Sequence, residues 1–326
     1  MTSAVAETPA APQGDAAPGL SGVSPGAMLW RRLRRKRLAL VSMVVIAIVY
    51  GAGILAPVLA PYSYAEQNLE RTLEGPSSDY WLGTDRLGRD MLSRTLYSAR
   101  TTLILTVAVV LSGSVVLGVG LGLLSGYRGG WVDGAIMRVG DIFGSVPGLP
   151  MLILINATTR PRVDELARWV EEHTILSNEL TTTGGASYFT VAVALSLFAW
   201  VGMARVIRAQ VLQLRERDFV LAAQATGATG ARVIGRHLLP NIAFLIILSV
   251  SAGLGAIAGS EIVLTWFGVG VQPPAASFGQ MIFAGSGART FQAHPHLLLV
   301  PAVVVTALMF AFNLLGDALN DAMRGQ

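Results

Sequence analysis

The chain has 326 residues, of which 52% are hydrophobic and only 13% are charged. Soluble domains usually carry about 25% charged residues, so this composition excludes an ordinary soluble domain and favours a membrane protein. The sequence has no cysteine, which excludes disulfides and thiolate metal sites, and the positive charges behind its net charge of +4 are scattered, which argues against a nucleic-acid-binding face.

The N-terminal segment, residues 1–29, consists mainly of Ala, Pro, Gly and Ser. Such a composition buries too little apolar surface to order itself, so we expect a disordered tail. WRRLRRKR (30–37) then places six positive charges directly before the uncharged run 38–60, which is long enough to cross a membrane as a helix. A signal peptide shows the same order of charge and hydrophobicity, but its apolar core is shorter, roughly 7 to 15 residues. We therefore favour a retained first helix.

Five further apolar segments predict five more membrane-spanning helices. The chain is thus predicted to be an all-α, polytopic membrane protein with six transmembrane helices, the later ones at 101–126, 135–157, 188–210, 239–265 and 296–316. The second span is rich in Gly and Ser, which suits close helix packing. The third contains Pro147 and Pro150 and must be kinked and packed among other helices. Arg138 and Asp141 lie three residues apart in it, so we expect them to pair with each other.

The distribution of basic residues predicts the orientation. Fifteen of the 24 lysines and arginines fall in the segments that share a side with both termini, so the positive-inside rule places both termini in the cytoplasm. Residues 211–238 then form a cytoplasmic loop, and residues 158–187 form an extracytoplasmic insertion.

The insertion contains a pattern typical of an amphipathic helix, because Val163, Leu166, Val170 and Ile175 are spaced for one face. Two interpretations stay open. The insertion is either a solvated loop or a contact for an extracytoplasmic partner protein, with candidate contact residues Arg162, Glu165 and Trp169.

The cytoplasmic loop predicts a helix, a glycine turn and a second helix. Good helix formers run from 211 to 226, Gly227 is a helix stop, and a second helical stretch leads into the fifth span. Small side chains at Ala222 and Ala223 would let a partner approach closely. By composition alone, an ordinary cytoplasmic connector is the favoured interpretation of this pattern.

This segment resembles the cytoplasmic coupling loop of ABC importer permeases, in which Glu-Ala-Ala is followed by Gly and later by Leu-Pro. The matching residues here are Ala222, Ala223, Gly227, Leu239 and Pro240. Leu221 stands where that family usually has glutamate. Acidic residues are close by at Glu216 and Asp218, and Asp218 lies one helical turn from Leu221.

Several other segments are similar to the C-subunit type of dipeptide and oligopeptide permeases. They occur in the same order along the chain: YWLGTDRLGRDMLSR (80–94), GYRGGWVD (126–133), LRERDF (214–219), FGVGVQPP (267–274) and FNLLGDALNDA (312–322).

The resemblance implies a type I ABC importer permease fold in a bacterial inner or plasma membrane. It implies a homologous B-type permease, ABC ATPase subunits and an extracytoplasmic substrate-binding protein as partners, besides membrane lipid. The ATPases would bind ATP and Mg, and this chain would bind no cofactor. The implied substrate is a di- or oligopeptide, while nickel, heme and other small solutes, carried by importers of the same subfamily, stay open.

Glu261 is an ionisable residue in the outer part of the predicted fifth span. Such a residue costs about 2.5 to 3.5 kcal/mol on insertion scales and is usually paired or faces a cavity. We therefore expect Glu261 to serve in the transport pathway or in helix packing.

Two other classes of protein are weaker alternatives. An enzyme is disfavoured because the HPH motif at 294–296 has no carboxylate cluster nearby and the sequence has no P-loop for ATP. A self-contained secondary transporter would show paired, inverted repeats, and none is visible.

Overall fold

The computed structural model describes residues 31, 33, 34, 36–173 and 184–324. The predicted tail, residues 1–29, lies outside these described residues, as does Ile175. Across the described ranges the chain is all-α, as predicted, and its only extended pairing is an isolated bridge between Thr84 and Asp90. The helices are α1 (Arg37–Ile54), α2 (Ala56–Leu59), α3 (Met91–Arg128), α4 (Gly130–Ser145), α5 (Gly148–His173), α6 (Gly185–Leu214), α7 (Asp218–Ala225), α8 (Gly230–Trp266), α9 (Phe278–Gly285), α10 (Ala288–Ala293) and α11 (His296–Arg324).

Five helices, α1, α3, α6, α8 and α11, are long and apolar enough to cross a membrane, and the bent pair α4–α5 provides a sixth candidate span. The structure thus contains the predicted number of spans if the bent pair is one of them. The long helices expose large aliphatic side chains on their outer surfaces, such as Val41, Val44 and Ile48 of α1. Such surfaces suit contact with lipid or with a second membrane subunit.

The third predicted span differs from the prediction in shape. A kink was expected within 135–157, but α4 ends at Ser145 and α5 starts at Gly148, with 95° between them. Val146 is extended (φ −90°, ψ 138°) because the ring of Pro147 disfavours a helical conformation for the residue before it. The helix α5 then continues without a boundary at 157, so residues 158–173 of the predicted insertion are helical.

The helix α3 begins ten residues earlier than the predicted span. Asp90 caps its N-terminus, where the carboxylate accepts a hydrogen bond from the Ser93 amide at 2.8 Å. The apolar run that marks the span starts only after Arg100, so hydropathy missed the first turns. The helix ends where Gly129 turns the chain with φ +63°.

Glycines of α3 form a close seam with α6. Cβ atoms added at Gly113, Gly118, Gly122 and Gly126 would lie only 2.7–2.8 Å from atoms of α6. Gly113 and Gly118 are five residues apart, and in a regular α-helix this spacing would point them in different directions, so that one of them would not face α6. The stretch Val110–Val119 is a π-helix, whose wider turns join residues five apart by backbone hydrogen bonds. All four glycines therefore face α6. This is the close packing that the Gly-rich composition predicted.

Candidate functional site

The predicted cytoplasmic loop folds as helix, glycine turn and helix. The helix α6 ends at Leu214, α7 covers Asp218–Ala225, and α8 starts at Gly230. Between them Gly227 adopts φ +83°, a left-handed conformation that glycine adopts readily and β-branched residues avoid. The local pattern therefore gave the order of these elements correctly.

A single buried side chain anchors α7 to the membrane helices. Val220 is fully buried and belongs to one apolar cluster with Val211 of α6 and with Val233 and Leu238 of α8. The remaining seven residues of the helix are half-buried or exposed. The helix is thus held by one face and presents its opposite face outward.

The outward face of α7 presents mainly apolar and small side chains. Leu221 is 50% exposed, Ala222 is exposed and Ala223 is half-buried. An open groove of about 490 Å³ lies between α7 and the start of α8. Its lining combines an apolar part, Phe219, Ala222 and Ala223, with a basic part, Arg232, Arg236 and His237. A partner surface with apolar and acidic side chains would complement this groove.

The other predicted coupling residues lie at the edges of this unit. Glu216 is exposed, and its nearest basic partner is Arg215 at 3.9 Å. Asp218 is the exposed first residue of α7, one turn before Leu221. Leu239 and Pro240 follow the π-helical stretch Ile234–Leu238 within α8 and do not line the groove. The structure thus brings together the residues of α7 with basic residues of α8 that the sequence analysis had not singled out.

A partly buried ion pair between Arg208 and Asp133 holds together helices next to this loop. The guanidinium of Arg208 in α6 donates two hydrogen bonds of 2.5 Å to the carboxylate of Asp133 in α4, which also accepts one from Ser125 at the end of α3. The Asp133 carboxylate therefore connects α3, α4 and α6, and this set of contacts is called the clamp below. The contact was not predicted from the sequence, although Asp133 is the last residue of the segment GYRGGWVD.

The predicted pair between Arg138 and Asp141 is wrong. Asp141 pairs with Arg205 of α6, with 2.8 Å between Nη2 and Oδ1. Because α4 packs alongside α6, a long side chain from the neighbouring helix reaches this carboxylate, and spacing along one helix could not reveal that.

Glu261 is buried, with 1% of its surface exposed. Its carboxylate accepts hydrogen bonds from the hydroxyls of Thr102 in α3, Thr265 one turn on, and Ser277 before α9, at 3.1–3.2 Å. A carboxylate so enclosed joins three segments at one point. Of the two roles expected for Glu261, this geometry favours helix packing over lining an open pathway.

The segment 80–94 forms a tight loop before α3. Gly83 and Gly88 have φ values of +80° and +69°. The carboxylate of Asp85 accepts hydrogen bonds from the amides of Leu87 and Arg89 at 2.8 and 3.0 Å, and the Arg89 guanidinium lies 2.7 Å from it. Asp85 therefore organises the loop through both backbone and side chain. Nearby, hydrogen bonds to Glu74 and Asp79 raise the pKa of the Arg71 guanidinium.

The candidate contact residues of the insertion, Arg162, Glu165 and Trp169, are all exposed on the last turns of α5. Leu166, from the predicted apolar face, is 56% exposed. The predicted helix is thus present as far as His173, with Val163 and Val170 half-buried and Leu166 exposed. Its role as a partner contact stays a prediction.

The histidines do not form a metal site in the part of the chain that the structure describes, where no group of three or more potential ligand residues occurs. The ring of His296 instead approaches the Thr84 carbonyl oxygen at 3.3 Å.

Comparison with known families defines the class of protein. Residues 118–325 match the family described as binding-protein-dependent transport system inner membrane component, and residues 24–76 match the N-terminal TM domain of oligopeptide transport permease C. The chain therefore belongs to the permease subunits of ABC importers, as the motifs predicted.

Individual relatives narrow this class. The chain is 34% identical to the oligopeptide transport system permease protein OppC of Bacillus subtilis (strain 168) over 90% of this chain and 89% of that protein. It is 35% identical to the dipeptide transport system permease protein DppC of the same organism, over 90% and 83% respectively. It is also 30% identical to the glutathione transport system permease protein GsiD of Pectobacterium atrosepticum, over 92% and 91%.

Proposed function

We propose that this chain forms half of the translocation pathway of an ATP-driven importer of di- or oligopeptides, and that the unit 216–232 couples the pathway to a partner ATPase. The observation that carries the coupling role is α7, held by Val220 to the membrane helices with its opposite face open. The substrate class follows from the relatives, whose names specify oligopeptide, dipeptide and glutathione transport.

In this proposal the chain performs no covalent chemistry and binds no cofactor. ATP and Mg are bound by the ATPase subunits, which dock on the cytoplasmic side against the groove between α7 and α8. A homologous permease completes the pathway, and a substrate-binding protein delivers the peptide from outside. Both termini lie in the cytoplasm of a bacterial cell, as the basic residues predict.

Coupling follows from the mechanics of the anchored helix. When the ATPases close, a docked α7 is displaced, and the buried contact at Val220 transfers the displacement to α6 and α8. The clamp of Arg208 and Asp133 keeps the ends of α3, α4 and α6 together, so these helices would tilt as one body.

The test is reconstitution of the permease with its companion permease, ATPases and binding protein in liposomes. We expect peptide uptake that requires ATP and the binding protein. The purified chain alone should neither hydrolyse ATP nor transport. Peptide transport by the isolated chain without ATP would instead identify a secondary transporter, and uptake of nickel or heme with no uptake of peptides would refute the substrate assignment.

A further inference from the structure

A cavity of about 290 Å³ lies at the start of α3, at the end of the helices that the orientation prediction places outside the cell. The loop after α8, the helix α9 and the start of α11 form its other walls. It is separate from the groove of the coupling loop, and it borders the cluster around Glu261 through Thr265, which lines the cavity.

The cavity has a strongly basic lining. Three arginines, Arg86, Arg89 and Arg94, contribute to it, whereas Asp85 is the only acidic residue among its lining residues. The Asp85 carboxylate is already engaged by Arg89 at 2.7 Å and by two backbone amides. The lining therefore carries three positive charges and one negative charge.

Arg94 is a buried arginine of this lining, and its charge is only weakly compensated by the protein. Its side chain is only 2% exposed. Its contacts are long: 3.4 Å to the Tyr64 carbonyl oxygen, 3.5 Å to Gln280 Oε1 and 3.7 Å to Asp85 Oδ2. Hydrogen bonds between a guanidinium and a carboxylate usually measure about 2.7–2.9 Å. A buried cation held so loosely by its own chain can accommodate a closer acceptor.

The remaining walls indicate what kind of anion fits. Met91, Val271, Met281 and Leu297 contribute buried apolar surface, and Gln272 adds an amide. Apolar walls beside a guanidinium fork suit a carboxylate attached to an apolar group, because arginine binds carboxylates through two parallel hydrogen bonds. The volume is at the lower limit of small-molecule sites, about 300 Å³, so the cavity suits the end of a peptide better than a whole oligopeptide.

We propose that this cavity binds the C-terminal carboxylate and the last apolar side chain of a transported peptide, with Arg94 as the carboxylate-binding residue. The proposal rests on the proposed peptide-import function. It assigns to the permease itself a selection for peptides with a free C-terminus, at the point where they leave the binding protein.

A direct test uses the purified complex of permeases and ATPases without the binding protein. The probes are N-acetyl-leucine, which has a free carboxylate, and N-acetyl-leucinamide, which lacks the charge. We expect the acid to bind about tenfold or more tightly, which corresponds to one charge-assisted interaction. Equal binding of the two probes by the unmodified complex would overturn the proposal.

Variants then locate the preference. Arg94→Gln should abolish the discrimination between acid and amide, and Arg94→Lys should retain part of it. Arg289→Gln is the matched control, since it removes an exposed arginine at the same end of the protein and should leave the discrimination unchanged. If Arg94→Gln weakened binding of both probes equally, Arg94 would be a structural residue and the assignment would be wrong.

Uptake by the complete importer separates this proposal from the proposed function. The ratio of KM for a peptide acid to that for its amide, corrected for the affinity of the binding protein, should rise in Arg94→Gln about tenfold. Failure of the unmodified importer to take up any peptide would refute the proposed function. The probe-binding experiment on the wild-type complex decides separately whether the cavity selects carboxylates, and it does so even if the Arg94→Gln complex does not assemble.

Discussion

Replacing Val220 by alanine tests how α7 is anchored to α6 and α8. Val220 is the only buried residue of α7, so its side chain supplies most of the apolar contact that holds the helix. The change removes two carbon atoms, worth about 0.8 kcal/mol each on burial, and the remaining cavity adds to the loss. A total of about 2 kcal/mol would raise the fraction of undocked α7 roughly 30-fold.

The assay measures ATP hydrolysis and peptide uptake in the same proteoliposomes. We expect Val220→Ala to lower the uptake per ATP hydrolysed, because an undocked helix moves without moving α6 and α8. Hydrogen exchange at the amides of 218–225 should become faster in parallel. Val41→Ala is the matched control, since it removes the same atoms from a side chain that is 57% exposed. Unchanged exchange and unchanged uptake per ATP would refute the reasoning.

Substitutions at five further positions test other contacts. Gly227→Val forces a β-branched residue to adopt φ +83°, at a cost of at least about 1–2 kcal/mol, and should lower uptake while ATP hydrolysis continues. Gly227→Asn should have a milder effect, and normal transport by the valine variant would contradict the coupling assignment. Leu221→Glu should change uptake by less than about twofold, since surface substitutions usually stay within 0.5 kcal/mol, and a severe loss would show that the leucine is required. Glu261→Ala leaves three buried hydroxyls without their acceptor and should lower the thermal unfolding midpoint more than Glu261→Gln; equal effects would exclude a hydrogen-bonding role. Asp133→Asn should lower the unfolding midpoint by the equivalent of about 1 kcal/mol or more. Asp141→Asn should have a smaller effect, because its pair with Arg205 is largely exposed. A larger effect of Asp141→Asn would refute the stabilising role of the Arg208–Asp133 contact.

The sequence predicted the helical class, the number of candidate spans and the helix–glycine–helix form of the loop 211–238. These features depend on local properties, such as the length of apolar runs and the conformational preference of Gly227. Hydropathy could not locate the start of α3, because its first turns contain Arg94 and Arg100 and are stabilised by the Asp90 cap.

The features that the sequence did not reveal depend on contacts between distant segments. Proline signalled a kink in the third span, but whether it gives a mild bend or a 95° corner depends on the packing of both arms. The partner of Asp141 is 64 residues away in α6. The basic side of the groove between α7 and α8 and the lining of the cavity at the start of α3 likewise combine residues from separate segments, which one sequence without a fold cannot place side by side.

The π-helical stretch of α3 also determines how the two ends of the protein are set relative to each other. Each residue of an α-helix turns the chain by about 100°, so deleting one residue between 110 and 119 would rotate the N-terminal part of α3 by about that angle while Gly122 and Gly126 kept their contacts with α6. Thr102 would then turn away from Glu261, and Arg94 away from Gln280 of α9. The length of this stretch therefore sets the angle between the glycine seam with α6 and the charged loop before α3. We expect α3 to tolerate side-chain replacement on its exposed surface but not a change in its number of residues.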